Sequence, residues 1–149
     1  MNELLPDVHS VLAGLGPDVY RLAGKRMLIT GSRGFLGRFL VATLVEANKL
    51  LPKPCEIIAL DSLATGASDR TEWRNIPNLT FIQHNVKHQY YIPNTPNLKL
   101  DFILHLAGIA SPHHYKLRPW DTIAVAVDGL RRMGELAQQF GSRLLFTSS

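Results

Sequence analysis

A short apolar run, Met27-Leu28-Ile29-Thr30, passes directly into Gly31-Ser32-Arg33-Gly34-Phe35-Leu36-Gly37 and then into a segment with helical periodicity. No other junction in the chain constrains the fold as tightly. The first N–H groups of a helix lack intrahelical partners, and the helix dipole turns its positive end toward them, so this turn suits a phosphate. Gly31 supplies the backbone freedom of a sharp strand-to-helix turn. Gly34 leaves no side chain between the main chain and a pyrophosphate, and Gly37 lets the helix lie close to the strand.

The spacing is Gly-x-x-Gly-x-x-Gly. It differs from the Gly-x-Gly-x-x-Gly of ordinary dinucleotide dehydrogenases, because Arg33 stands where that pattern has its second glycine. Glycines alone would also fit a turn without a ligand. The context argues otherwise: an amphipathic helix follows, with Phe35, Leu36, Phe39, Leu40, Leu44 and Ala47 as its apolar face, then a second strand, Glu56 to Leu60, tipped by Asp61. That is a βαβ unit, and an acidic residue at the tip of its second strand can accept both hydroxyls of an adenosine ribose. Further strands are expected at Leu79 to His84, at Leu100 to Leu106, and at Arg143 to Thr147. A long helix from Pro119 to Phe140 should present Trp120, Ile123, Ala124, Val127, Leu130 and Ala137 on one face and stop at Gly141. The expected fold is α/β: a Rossmann-type, doubly wound parallel sheet in strand order 3-2-1-4-5, with its crevice at the carboxyl ends of strands one and four.

With 149 residues, 46% of them hydrophobic, the chain can bury a sizeable core as one α/β unit. Residues 1–24 read as a helical appendage to a nucleotide-binding domain at 25–149: Leu4, Leu5, Val8, Val11, Leu12 and Leu15 share a helical face, and Gly14, Gly16 and Pro17 break it. Glu3 and Asp7 are acidic where a secretory leader would be basic. The net charge of +4 is mild, and Arg131-Arg132 reads as a solvated helix face, so no nucleic-acid partner is expected. No apolar run reaches the roughly 18 residues of a membrane span, so no membrane partner is expected either. The single cysteine, Cys55, is expected at a strand edge in a reducing, cytoplasmic compartment. Adjacent His113 and His114 should point apart and lack ligand spacing, so no metal is expected.

Several stretches resemble the extended short-chain dehydrogenase/reductase family, the nucleotide-sugar epimerases and dehydratases. They are the glycine turn, Asp61-Ser62-Leu63-Ala64-Thr65-Gly66, His105-Leu106-Ala107-Gly108 and the terminal Leu144-Leu145-Phe146-Thr147-Ser148-Ser149. The resemblance implies NAD as cofactor and a nucleotide-sugar substrate, a UDP-sugar by its nearest members, in a homodimer. It carries cofactor contacts onto Gly31, Arg33, Gly34, Phe35, Leu36, Gly37, Asp61, Ser62, Thr65, Gly66, Asn85, Val86, Leu106, Ala107, Gly108 and Thr147. Asn85 replaces the family's usual Asp at the adenine amino group and can still accept through its amide oxygen. Ala126 replaces a family asparagine in the long helix. His105 reads as a core histidine more readily than a catalytic one.

The loop Ala110-Ser111-Pro112-His113-His114-Tyr115 resembles the Ala-Ser-Pro-Pro-x-Tyr of the family's UDP-glucuronate decarboxylases, which implies sugar contacts at Ser111, Pro112 and Tyr115. Arg118-Pro119-Trp120-Asp121-Thr122 resembles that group's Asn-Pro-x-x-Thr, with Arg118 in place of Asn. Ser149 falls on the family's catalytic hydroxyl; two ordinary polar residues at a strand end is the plainer alternative. The family's general base, a tyrosine in Tyr-x-x-x-Lys, has no match. The pair Tyr90-Tyr91 has Thr95 where the lysine would stand. The chain therefore reads as the N-terminal part of an enzyme, inactive alone, most similar to a decarboxylase. A 4-epimerase or 4,6-dehydratase is the alternative within enzymes, and a non-catalytic NAD-binding module the alternative outside them.

Overall fold

β1 (Arg26–Thr30) lies in the middle of a parallel sheet, between β2 (Glu56–Asp61) and β4 (Phe102–His105). β3 (Leu79–Gln83) flanks β2 and β5 (Arg143–Phe146) flanks β4, giving the expected order β3-β2-β1-β4-β5. This is a computed structural model, and it describes residues 2–65, 73–89 and 99–147. The expected contacts at Gly66 and Ser149, and the Tyr90-Tyr91 pair, lie outside the described residues.

Alternation along β1 divides the core in two, because successive side chains of a strand point to opposite faces. Met27 and Ile29 join Ile57, Ala59, Val41, Leu44, Ala47 and Trp73 on one face. Leu28 joins Leu60, Ile103, Met133 and Leu136 on the other. A central strand covered on both faces reads as a continuous apolar run, and Met27 through Thr30 are all buried.

α2 (Phe35–Ala47) connects β1 to β2. Its buried stripe is Gly37, Val41, Leu44 and Ala47, with Ala42 and Thr43 beside it. This corrects the expected face: Phe35 is 83% exposed and Leu36 is exposed as well. The first turn of α2 stands beyond the ends of β1 and β2, where no sheet remains to cover it, and burial begins at Gly37, against the backbone of Gly31 and Ser32. The Asn48 amide after α2 bridges to the entrance of β2: its Nδ2 donates to Cys55 O (2.9 Å), and Cys55 N donates to its Oδ1 (2.8 Å). Cys55 is buried, which pushes its thiol pKa up.

α4 (Pro119–Phe140) has the expected bounds, and Gly141 ends it in the left-handed conformation (φ 63°, ψ 30°). Ala137 of its expected apolar face packs against the core, but the N-terminal part of that face is overturned. Trp120 is 81% exposed, with Ile123 and Val127 also exposed, whereas Val125, Gly129, Met133 and Leu136 face the sheet. The helix carries two apolar stripes, and the one containing Gly129 lies close against the sheet: a Cβ there would stand 3.5 Å from the His105 ring of β4 and 2.9 Å from Val86 Cγ2 in the loop after β3. A six-residue helix, α3 (Pro112–Leu117), replaces the expected loop. The rings of His113 and His114 meet edge to face, centroids 5.4 Å apart, instead of pointing apart.

At the N-terminus, α1 (Leu5–Leu15) packs on α2 through Val8, which is fully buried, and Leu12. Val11 and Leu15 on the expected face are exposed. A 3₁₀ segment, Gly16–Leu22, leads toward β1.

Candidate functional site

The glycine turn is built by exclusion. Gly31 has φ +66°, and a Cβ on it would lie 2.7 Å from Ala107 N, so both conformation and space require glycine. A Cβ on Gly37 would overlap the Gly31 carbonyl oxygen. Gly34 is the N-cap of α2 in extended geometry (φ −70°, ψ 175°); its N–H donates to Gly31 O (3.0 Å), and its carbonyl accepts from Arg38 N (3.0 Å). No acidic side chain occupies the first turn of α2, so its positive end is left for an anion.

Between Gly31 and Gly34 the chain is tied to β2. Ser32 donates to Leu60 O through both its N–H and its Oγ (3.1 Å each). Arg33 N donates to Asp61 Oδ2 (2.8 Å), while the Arg33 guanidinium lies over the Trp73 ring at 4.6 Å. Leu63 N donates to Asp61 Oδ1 (2.8 Å). Two amides thus aim the Asp61 carboxylate, and each oxygen keeps a lone pair for a further donor.

A cleft opens over the carboxyl ends of the strands. Of the residues expected at the cofactor, Gly31, Gly34, Asp61, Ser62, Thr65, Asn85, Val86, Leu106, Ala107 and Gly108 line it. Arg33, Gly37 and Thr147 stand behind the lining: Arg33 and Gly37 are buried, and Thr147 N and Oγ1 both donate to His105 O (3.3 and 3.4 Å). Phe35 and Leu36 are exposed beside Gly34. Asn85 Oδ1 accepts from Lys87 N (3.2 Å), which uses one of its two lone pairs.

Ser111, Pro112 and Tyr115 lie on the short α3 and do not line this cleft; Ser111 is its N-cap residue. Sequence reasoning missed Arg118, Asp121 and Val125, which close the cleft from the start of α4. Their placement follows from a long-range tie, Lys87 Nζ to Asp121 Oδ1 at 2.6 Å, supported by Arg132 Nε donating to Lys87 O (3.0 Å). Lys87 holds the Asp121 carboxyl below its usual pKa. Arg118 carried the one available signal, as the departure from Asn-Pro-x-x-Thr. Among the described residues no three His, Cys, Asp or Glu side chains gather as metal ligands.

His105 is fully buried beneath the cleft, stacked on Phe146 with centroids 5.6 Å apart, and burial pushes its pKa down to about 4. A neutral imidazole there is a packing and hydrogen-bonding group.

The cradle therefore fits a dinucleotide: a bare helix N-terminus for the pyrophosphate, an aimed carboxylate beside it, and a floor without bulk at Ala107-Gly108. Residues 27–149 match the family described as NAD dependent epimerase/dehydratase. The chain belongs to that family. NAD is the family's cofactor. UDP-glucuronic acid decarboxylase 6 of Arabidopsis thaliana is 36% identical over 125 residues, covering 83% of this chain and 33% of the relative. This family member thus spans about a third of the length of that curated relative. In structure it is similar to an epimerase of Methanothermobacter thermautotrophicus, at TM-score 0.67 and 24% identity over 89% of this chain and 37% of the other. A dTDP-glucose 4,6-dehydratase of Streptomyces venezuelae, solved with NAD bound, superposes at TM-score 0.62 with 24% identity, over 80% and 38%.

Proposed function

We propose that this chain forms the NAD-holding part of an enzyme that decarboxylates a UDP-hexuronic acid. The observation that carries the reading is the 36% identity to a UDP-glucuronic acid decarboxylase, which extends across the whole cleft. In that reaction the sugar C4 hydroxyl becomes a ketone, the resulting β-keto acid loses CO₂, and hydride is returned to C4. NAD, when bound, supplies the hydride acceptance and return.

The chain's own residues bind and orient. With NAD bound, the α2 N-terminus at Gly34 would hold the pyrophosphate, Asp61 would accept from the adenosine ribose, Asn85 and Val86 would border the adenine, and Ala107-Gly108 would leave room for the nicotinamide half. Ser111, Pro112 and Tyr115 are proposed for the sugar, and the Ser149 hydroxyl for the oxygen that exchanges a proton. A serine hydroxyl without an activating partner is too weakly acidic to act as the base, and a positioned base commonly supplies about 10²–10⁴ in rate. None of the four tyrosines has a lysine four positions on. The 149 residues alone are therefore proposed to be inactive, and the reaction belongs to the whole protein.

The whole protein supplied with UDP-glucuronate is expected to release CO₂ and form a UDP-pentose, followed by NMR. Epimerised UDP-glucose, or a 4-keto-6-deoxy sugar from dTDP-glucose, without CO₂ from UDP-glucuronate would replace this reading with the epimerase or dehydratase one. A second copy of the chain is proposed to cover Trp120, Ile123 and Val127 on α4. Beside that stripe Arg131 is paired within the helix with Asp128 and Glu135.

A further inference from the structure

Thr30 ends β1 and His105 ends β4, directly paired across the sheet, and their side chains meet at 2.6 Å between Oγ1 and Nδ1. The same Oγ1 accepts the Ala107 N–H at 3.2 Å, while Thr30 O accepts the Leu106 N–H at 3.2 Å. Thr30 has a single hydroxyl proton. The arrangement that leaves this proton paired has Thr30 donating to Nδ1, with the imidazole proton on Nε2. That Nε2 is buried with no hydrogen-bond partner among the described residues, facing Gly129, where a Cβ would stand 3.5 Å away.

A buried nitrogen with no partner works against stability, and an apolar residue of similar shape would avoid it. The gain lies at the other ring nitrogen. Thr30 immediately precedes Gly31, where an added Cβ would stand 2.7 Å from Ala107 N and 2.8 Å from Leu106 C, so the turn and the exit of β4 leave no room for a side chain between them. The hydroxyl held by His105 therefore fixes the first glycine of the turn against the exit of β4, the two walls between which a dinucleotide passes.

We propose that His105 is a positioning residue for the dinucleotide, acting through the Thr30 hydroxyl to set the width of the slot between the glycine turn and Ala107-Gly108. The slot is formed before the cofactor arrives, so no binding energy is spent in ordering it. The proposal rests on the NAD reading of the cleft and is independent of which sugar reacts.

The test compares NAD with ADP, since ADP reaches the glycine turn and Asp61 but not the β4 exit. One hydrogen bond corresponds to about tenfold in affinity at most. His105→Leu and the near-isosteric Thr30→Val are each expected to weaken NAD by about tenfold and ADP by less than about twofold. His105→Asn, whose amide oxygen replaces Nδ1 as acceptor, should restore NAD to within about threefold of the unaltered chain. The double variant should be no weaker than either single one, because both remove the same interaction. Melting temperatures of the variants show that each is folded, and Thr30→Val keeps the comparison open if His105→Leu is not. Parallel loss of NAD and ADP, additive single effects, or no rescue by Asn would overturn the proposal. Failure of the unaltered chain to bind NAD would overturn the cleft reading with it, whereas NAD binding without the NAD/ADP split overturns this proposal alone.

Discussion

The backbone N–H of Arg33 donates to Asp61 Oδ2 at 2.8 Å, so the glycine turn and the tip of β2 are joined through the carboxylate proposed to read the ribose. The Arg33 guanidinium, meanwhile, lies over Trp73, which in turn meets Phe81 edge to face at 5.8 Å. A 2′-phosphate would bring its charge against Asp61.

NAD is therefore expected to bind at least about tenfold tighter than NADP, since like charges at close range repel and the ribose hydrogen bonds are lost. Asp61→Ala should weaken NAD by about tenfold or more and bring the two dinucleotides close together. Parallel calorimetric titrations check both statements, and tighter NADP binding by the unaltered chain would reject the role of Asp61.

The pH dependence of stability follows from His105. Its pKa is about 4 in the folded chain, against an ordinary 6.5. Between those values the unfolded chain holds a proton that the folded chain does not, so stability falls as pH drops from about 6.5 toward 4 and is unaffected by this group above that window. The full contribution is about 3 kcal/mol. Urea unfolding at pH 7 and pH 4.5 should show the loss, and His105→Leu should flatten the part that His105 causes. Equal slopes in both chains would assign the acid sensitivity elsewhere.

Strand order and the bounds of α4 were legible because they rest on local signals: apolar runs between turn residues, and Gly141 at a left-handed stop. The buried faces of α2 and α4 were not. Apolarity marks Phe35, Leu36, Trp120 and Ile123 as candidates, but whether a sheet lies beneath them depends on where β1 and β2 end and on how closely Gly129 lets α4 approach. Most of the cleft lining was readable because the turn, Asp61 and Ala107-Gly108 sit at strand ends fixed by topology. Arg118, Asp121 and Val125 reach it through the Lys87–Asp121 pair, a contact between residues 34 positions apart that no local pattern encodes.

The exposed stripe on α4 predicts association. Trp120 is exposed, so Trp120→Asp should change the stability of the isolated chain by no more than about 0.5 kcal/mol. Sedimentation should show a dimer for the unaltered chain and a monomer for the variant. A dimer in both would move the interface elsewhere.

Glycine positions separate folding from binding. Gly31→Ala places a side chain at φ +66° against the Ala107 backbone and should cost more than about 2 kcal/mol of stability. Gly34 is different: its φ of −70° suits any residue, and a Cβ there meets only Gly31 O at 3.2 Å. Its side chain would instead fill the space at the α2 N-terminus.

Calorimetric titration of NAD into the unaltered chain and into Gly34→Val tests whether the α2 N-terminus at Gly34 holds the dinucleotide. One NAD is expected to bind per unaltered chain, and none detectably to a Gly34→Val chain that melts within a few degrees of it. Equal binding by the two folded chains would contradict that expectation.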